Sequence, residues 1–305
     1  SLDISSFVTS SVTNIDYMFQ DCSGLTSLDV SSFDTSGVTS MRQMFRSCST
    51  LTSIDVSSFD TSSVNDMFFM FYACNSLTSM VGVEDFDITG LNSTSDLILF
   101  ITGGRMTTAQ YDALLVKWEA QDVFNGLTPS FGNSEYTGGS AAATAKQALI
   151  DDHAWVIADG GIDTSFRSVW ATTAINETIT IPTQAGTFNA VVDWGDGTSE
   201  TITAYDGFSH EYATAGDHTI KITGTFPNIY FNNSGDKLKI KKVLTLGQVG
   251  WTRLDRAFVG CNNLTEFTVG STDTSSVTDM TLMFVNCSGL TSIDVSSFDT
   301  TSVTN

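Results

Sequence analysis

The sequence predicts an α+β repeat fold, a solenoid in which each coil holds one short strand and one short helix. Three observations predict it. Cys22, Cys48 and Cys74 are spaced by 26 residues, as are Cys261 and Cys287. Whole phrases recur with them: LTSLDVSSFDTSGVTSMRQMFRSC, from Leu25 to Cys48, returns as LTSIDVSSFDTSSVNDMFFMFYAC, from Leu51 to Cys74. Within each phrase two hydrophobic periods follow one another, the first of strand type and the second of helix type. One unit cannot bury two apolar faces alone, whereas stacked units share a continuous core.

The first element of each coil is read from Leu25, Leu28, Val30 and Phe33, an L-x-x-L-x-V-x-x-F spacing that suits a short strand and its following turn. The second is read from Val38, Met41, Met44, Phe45 and Cys48, which fall at i, i+3, i+6, i+7 and i+10 and so predict one apolar stripe on a short helix. Val12, Ile15, Met18, Phe19 and Cys22 repeat that stripe, as do Val277, Met280, Met283, Phe284 and Cys287, and Trp251, Leu254, Ala257, Phe258 and Cys261 in a divergent copy.

The phrase LDVSSFDTS-x-V-T-x-M-x-x-MF-x-x-C resembles the 26-residue repeat of the BspA-like leucine-rich-repeat surface proteins, over about 14–80 and 251–305. The resemblance implies a leucine-rich-repeat solenoid in a bacterial surface or secreted protein, with adhesins for host matrix proteins among its members and no enzyme activity. On this reading residues 1–80 are a leucine-rich-repeat solenoid, 81–163 its C-terminal cap, 164–250 a β-sandwich with an N-terminal cap, and 251–305 the start of a second solenoid.

The cap is expected to be helical. Thr107 and Gln110 form a T-x-x-Q helix start, Tyr111, Leu114, Leu115 and Trp118 recur at helical spacing, and a second helix is expected around Ala141–Asp152. The segment also resembles the one that follows such repeats, through Tyr111-Asp-Ala-Leu-Leu, Ser134-Glu-Tyr-Thr and Asp159-Gly-Gly. Residues 164–250 alternate as half-buried strands do, most clearly from Thr219 to Thr223, and Asp196-Gly197 is a hairpin signal. VDWGDGTSE followed by HEYATAGDHTIKITG resembles a PKD-type β-sandwich, an all-β Ig-like fold. Its usual aromatic between Trp194 and Gly195 is missing here, and Asp217-His218 stands in place of the usual Thr-Tyr.

The ends of the chain are in phase. SIDVSSFDTTSVTN, Ser292 to Asn305, nearly repeats SLDISSFVTSSVTN, Ser1 to Asn14. Asn305 laid on Asn14 of another copy would continue the repeat, so the reading expects a fragment of a tandem array.

Composition bounds the function. The 305 residues carry 34 acidic and 13 basic side chains, a net charge of −21, which excludes nucleic acid as a partner, because a phosphate backbone is gripped by Lys and Arg. The 38 Ser and 43 Thr suit a β-rich surface-displayed protein, and no apolar run reaches transmembrane length. The histidines, His153, His210 and His218, belong to no metalloprotease, nucleophile-elbow or phosphate-loop motif, so no catalytic residue is assigned. The five cysteines lie on the inward stripe and read as buried free thiols.

Stacking would align aspartates one coil apart. The line through Asp29, Asp55 and Asp294, flanked by Thr26, Ser31, Thr52 and Ser57, is the candidate ligand-binding face, since solenoids bind along extended faces. Asp34, Asp60 and Asp299 read first as caps of the D-T-S turns and second as a calcium ridge, and Asp193 and Asp196 as a second calcium candidate. The resulting expectation is a non-catalytic, adhesin-like cell-surface or extracellular protein with no obligatory cofactor and calcium as the option. Its face would bind protein or glycan, and the sandwich would serve as spacer. The alternatives are a subunit of an extracellular filament or sheath formed by self-association, and a phage fibre component.

Overall fold

The computed structural model describes residues 2–305, which fall into two compact units divided between Asp163 and Thr164.

In the first unit successive repeats lie against one another in register, but not as strand and helix. The N–H groups of Ile15, Tyr17, Phe19 and Asp21 donate forward to the carbonyls of Ser40, Arg42, Met44 and Arg46 at 2.8–3.2 Å. The intervening N–H groups of Met18, Gln20 and Cys22 turn back to the carbonyls of Ile15, Tyr17 and Phe19. Met41, Gln43, Phe45 and Ser47 repeat the forward bonds to Asp66, Phe68, Met70 and Tyr72. An α-helix sends every interior N–H to the fourth residue before it, so a segment whose amides alternate between the next repeat and its own turn is not a helix. The backbone achieves this by placing Tyr17, Gln43 and Phe69, and again Asp21, Ser47 and Ala73, at φ between 55° and 60°. Each back bond spans three residues, and those from Met18 to Ile15 and from Cys22 to Phe19 join members of the apolar stripe, which reproduces its three-residue spacing without a helix.

The strand half is equally short of regular structure. Each Asp of the L-D-V-S-S phrase takes the N–H two residues on, as Asp29 does from Ser31 at 3.0 Å, and this local turn competes with a sheet ladder. Among the described residues of the strand half only β1 (Ser53–Asp55) and β3 (Ser79–Val81) pair, in parallel; in the turn half β2 (Phe71–Tyr72) pairs in parallel with β4 (Ile101–Thr102). The expected α+β leucine-rich-repeat solenoid is therefore wrong. Among the described residues the chain is mostly β and turn, its sheets are small, and both α-helices lie outside the repeats.

What the repeats do share is a core. Val38, Met41, Met44, Phe45 and Cys48 are completely buried. Phe19, Phe45 and Phe71 stack with ring centroids 5.7 and 5.2 Å apart. All five thiols are free; those of Cys48 and Cys74 donate to the carbonyls of Phe19 and Phe45, and burial pushes them up to about 11 and about 12. Buried Thr35 clamps one repeat to the next: its hydroxyl accepts the Asp60 N–H at 2.8 Å and donates to the Asp60 carbonyl at 3.0 Å. Thr61 does the same to Asp87, and Thr274 to Asp299.

Past Phe71 the spacing lengthens, with Met67 donating to Asp96; the extra residues form a loop whose Asn92 and Ser93 amides Asp96 accepts. The helices α1 (Thr108–Glu119) and α2 (Ala141–Asp151) follow. Thr107 and Gln110 close the expected capping box at the start of α1, and Tyr111, Leu114, Leu115 and Trp118 are its buried face. β5 (Glu135–Thr137) and β6 (Gly161–Asp163) pair in parallel.

The second unit contains β7 (Phe166–Thr172), β8 (Glu177–Thr180), β9 (Asn189–Asp193), β10 (Ser199–Ile202), β11 (Ser209–Tyr212), β12 (Gly216–Thr225), β13 (Ile240–Thr245) and β14 (Glu266–Phe267). Six of them form one sheet in the order β10-β9-β12-β7-β13-β14, and β11 pairs with β8. Asp196-Gly197 does turn the β9–β10 hairpin, with Gly197 at φ 91°. The residues read as an Ig/PKD-like sandwich and as a second solenoid start lie in one unit, Thr164–Asn305. β14 belongs to a repeat and joins the sheet in parallel with β13, and one apolar core runs from Phe166 to Cys287. The repeat hydrogen bonds resume here, with Leu254, Arg256, Phe258 and Gly260 donating to Asp279, Thr281, Met283 and Val285.

Candidate functional site

The L-D-V-S-S phrases of two consecutive repeats line a groove of about 400 Å³ in the first unit. Its floor is Leu28 and Ile54 with Leu2 at one end, and its walls are Asp29, Ser31, Asp55 and Ser57 with neighbouring serines. Leu28 and Ile54 point inward because alternate residues of an extended segment face opposite sides, which leaves Asp29 and Asp55 in solvent. The Ser57 hydroxyl and N–H donate to Asp55 Oδ1 at 2.6 and 2.9 Å and hold its carboxyl below the ordinary carboxylate range, against a smaller upward push from Asp29. The Ser31 hydroxyl and N–H lower Asp29 in the same way. The structure thus brings together Asp29, Ser31, Asp55 and Ser57. Thr26 and Thr52 are exposed but lie outside the groove, and Asp294 sits in the second unit, where it accepts the Ser296 N–H at 2.9 Å.

The calcium candidates are occupied with turns. Asp34 Oδ1 accepts the hydroxyl and N–H of Ser36, Asp60 those of Ser62 and Asp299 those of Thr301, with the hydroxyl contacts all at 2.6 Å. Asp193 accepts the Gly195 N–H at 3.0 Å. Burial pushes the Asp196 carboxyl up, but the Thr198 hydroxyl, His210 and the Thr198 amide outweigh it and hold the group at about 2. His210 Nε2 lies 2.8 Å from Asp196 Oδ2, and its ring stacks on Trp194. Among the described residues no three His, Cys, Asp or Glu side chains converge as a metal site.

Two features were not visible in the repeat pattern. One is the Thr35, Thr61 and Thr274 clamp, whose signal was the invariant Thr after each D of D-T-S. The other lies on the outward side of the turn half, where Arg42, Phe68, Phe69, Tyr72 and Arg46 form a pile. Arg42 and Phe68, and Arg46 and Tyr72, sit one 26-residue period apart, but their residue types do not recur from copy to copy.

Comparison with known proteins covers the repeats, the groove residues included. Residues 1–99 and 230–305, more than half of the chain, match the model of a family described as "Mycoplasma protein of unknown function, DUF285". The chain belongs to this family. Neither a leucine-rich-repeat family nor a PKD family is found, which corrects both resemblances read from the sequence. The DUF285 match spans the repeats of both units and leaves out 100–229, which hold α1, α2 and most of the sheet. No curated protein and no solved structure matches the chain. No helix of the described residues is long and apolar enough to cross a membrane.

Proposed function

We propose that the protein is a non-catalytic, adhesin-like binding module displayed outside the cell, and that the groove over Leu28 and Ile54 is its ligand face. The observation that carries this reading is the repetition of one chemistry across adjacent repeats: Asp29 with Ser31, and Asp55 with Ser57, over a common apolar floor. In each pair one carboxylate oxygen is held by the turn, which fixes the side chain and leaves the other oxygen facing solvent. Two such acceptors one repeat apart suit an extended ligand rich in hydrogen-bond donors, either the amino and amide groups of a protein segment or the hydroxyls of a glycan. Because Asp29 raises the energy of the Asp55 carboxylate, a donor placed between them relieves a repulsion as well as making hydrogen bonds.

The second unit supplies the spacer in this reading. The test is solid-phase binding to a panel of extracellular matrix proteins and glycans with the Asp29→Ala, Asp55→Ala double variant beside the wild type. Loss of a wild-type interaction supports the groove. An interaction that survives the double substitution at full strength assigns binding elsewhere.

A further inference from the structure

We propose that the outward pile formed by Arg42, Phe68, Phe69, Tyr72 and Arg46 is a second binding site, specific for a carboxylate-bearing sugar of the uronic-acid type. It lies on the turn half of the repeats and shares no residue with the groove, so it stands or falls independently of the reading above.

The internal repeats separate scaffold from function. Inward residues of the turn half recur from copy to copy, as do the Asp and Thr that cap and clamp the turns. The outward positions do not recur. Asp16, Arg42 and Phe68 occupy one such position in the first three repeats, Tyr17, Gln43 and Phe69 the next, and Gln20, Arg46 and Tyr72 a third. Corresponding places in the second unit hold Asp255, Arg256 and Val259, then Thr281, Leu282 and Val285. The fold therefore does not require aromatic rings or guanidinium groups there.

What the first unit puts there is ordered. The Arg42 guanidinium sits 3.9 Å from the centroid of Phe68; Phe68 stacks on Phe69 at 3.8 Å, Phe69 on Tyr72 at 4.8 Å, and the Arg46 guanidinium lies 5.7 Å from the Tyr72 centroid. Three aromatic rings are partly exposed with a cation at each end, and Tyr17 beside them is 47% exposed.

The two cations differ. Arg42 is already paired, with Asp66 at 3.2 Å and with Tyr17. Arg46 donates through Nη1 to the neutral Gln43 amide oxygen at 2.7 Å, its Nε is buried out of a ligand's reach, and the Asp21 carboxylate lies within electrostatic range without a direct contact among the described residues. The Nη edge of a guanidinium fixed against a ring still presents parallel N–H donors that match a carboxylate. The adjoining ring edges and the exposed Tyr17 ring offer apolar surface for the C–H faces of a sugar, and the amide oxygen of the partly exposed Gln20 offers an acceptor for a hydroxyl. A free carboxylate would gain the fork alone and a neutral sugar the rings alone; a uronate residue uses both.

The experiment measures binding of the full chain to hexasaccharides of hyaluronan and of polygalacturonate by calorimetry, with a neutral glucan hexasaccharide and a poly-glutamate peptide as comparators. The expected result is saturable binding of a uronate oligomer, at least about ten-fold tighter than the glucan, which is what one charge-assisted fork contributes, and about two- to ten-fold tighter than poly-glutamate, which has the carboxylate but no sugar face for the rings. Arg46→Met, which keeps the apolar stem, and Phe69→Asn, which tolerates the left-handed backbone, should each weaken it about ten-fold with an unchanged melting temperature. Phe68→Ala provides a second aromatic variant should Phe69→Asn alter the fold. Failure of both uronate oligomers to bind, equal binding of glucan or poly-glutamate, or full affinity in folded Arg46→Met overturns the proposal.

Discussion

Replacing Thr35 by Val removes one oxygen and keeps the shape of the side chain, which makes it the sharpest test of how adjacent repeats are held together. Thr35 is 2% exposed, and its hydroxyl satisfies both the N–H and the carbonyl of Asp60, 25 residues away. A neutral hydrogen bond is worth about 0.5–1.5 kcal/mol net, and a buried group left without a partner costs about 1–3 kcal/mol. Asp60 is partly reachable by water, so the lower halves of these ranges apply, and Thr35→Val should destabilise the first unit by about 2–3 kcal/mol. For a unit of this size that lowers the melting temperature by about 4–12 °C. Thr35→Ser keeps the hydroxyl and deletes a methyl group, and should cost about 1 kcal/mol. Thr39→Val is the surface control. The Thr39 hydroxyl also reaches a neighbouring repeat, at Thr13, but in solvent, and its loss should cost under about 0.5 kcal/mol. Calorimetric or urea melts of the three variants give the ranking. A Thr35→Val protein as stable as the wild type, or less affected than Thr35→Ser, would show that methyl packing rather than the clamp joins the repeats.

Phe45→Ala removes the middle ring of the Phe19–Phe45–Phe71 stack and should cost about 3–5 kcal/mol in the same melts, the usual range for a fully buried phenylalanine. The thiols of Cys48 and Cys74, pushed up to about 11 and about 12 by burial, stay protonated at pH 8; alkylation followed by mass spectrometry should label the partly exposed Cys22 first and those two only on unfolding. Acid should destabilise the protein in a defined window. Turn hydrogen bonds hold Asp34, Asp55, Asp60 and Asp299 below their unfolded values, so their contribution is complete above about pH 4 and is lost as pH falls through the folded values; Glu177 and Asp196, both held at about 2, extend the loss downward. Melting temperatures that do not fall between pH 5 and pH 2.5 would contradict this assignment.

The sequence disclosed period and inwardness and concealed conformation. Every residue of the Val38–Cys48 stripe is buried, because burial follows from spacing alone, and the cap helices were legible through the Thr107–Gln110 box and the Tyr111–Trp118 spacing. The turn half was misread because three-residue turns and a short helix bury the same positions. They differ in where Tyr17, Phe19 and Asp21 send their amides, and that depends on a neighbouring repeat. The strand half was misread for a related reason: Asp29 and Asp55 look like strand residues by alternation, yet their side chains capture the amide two residues on. Of the candidate face, Asp29, Ser31, Asp55 and Ser57 converge as the repeat implied, whereas Thr26, Thr52 and Asp294 do not share the groove. The Arg46 pile was half legible: the 26-residue period aligns Arg42 with Phe68 and Arg46 with Tyr72, but their residue types do not recur, so nothing in the pattern marks them before the repeats are stacked.

The forward hydrogen bonds have a consequence for inheritance. Ile15, Met41 and Leu254 each begin the same set of donations to a segment 25 residues on, so repeats of this spacing present equivalent donors and acceptors to their neighbours. Unequal crossing-over within such a gene adds or removes complete repeats without breaking a bond, whereas a one-residue insertion throws every later amide out of register unless a loop such as Asn92–Ser95 absorbs it. Copy number is therefore the dimension in which this protein changes most cheaply, and the outward positions of each new copy begin without assigned contacts.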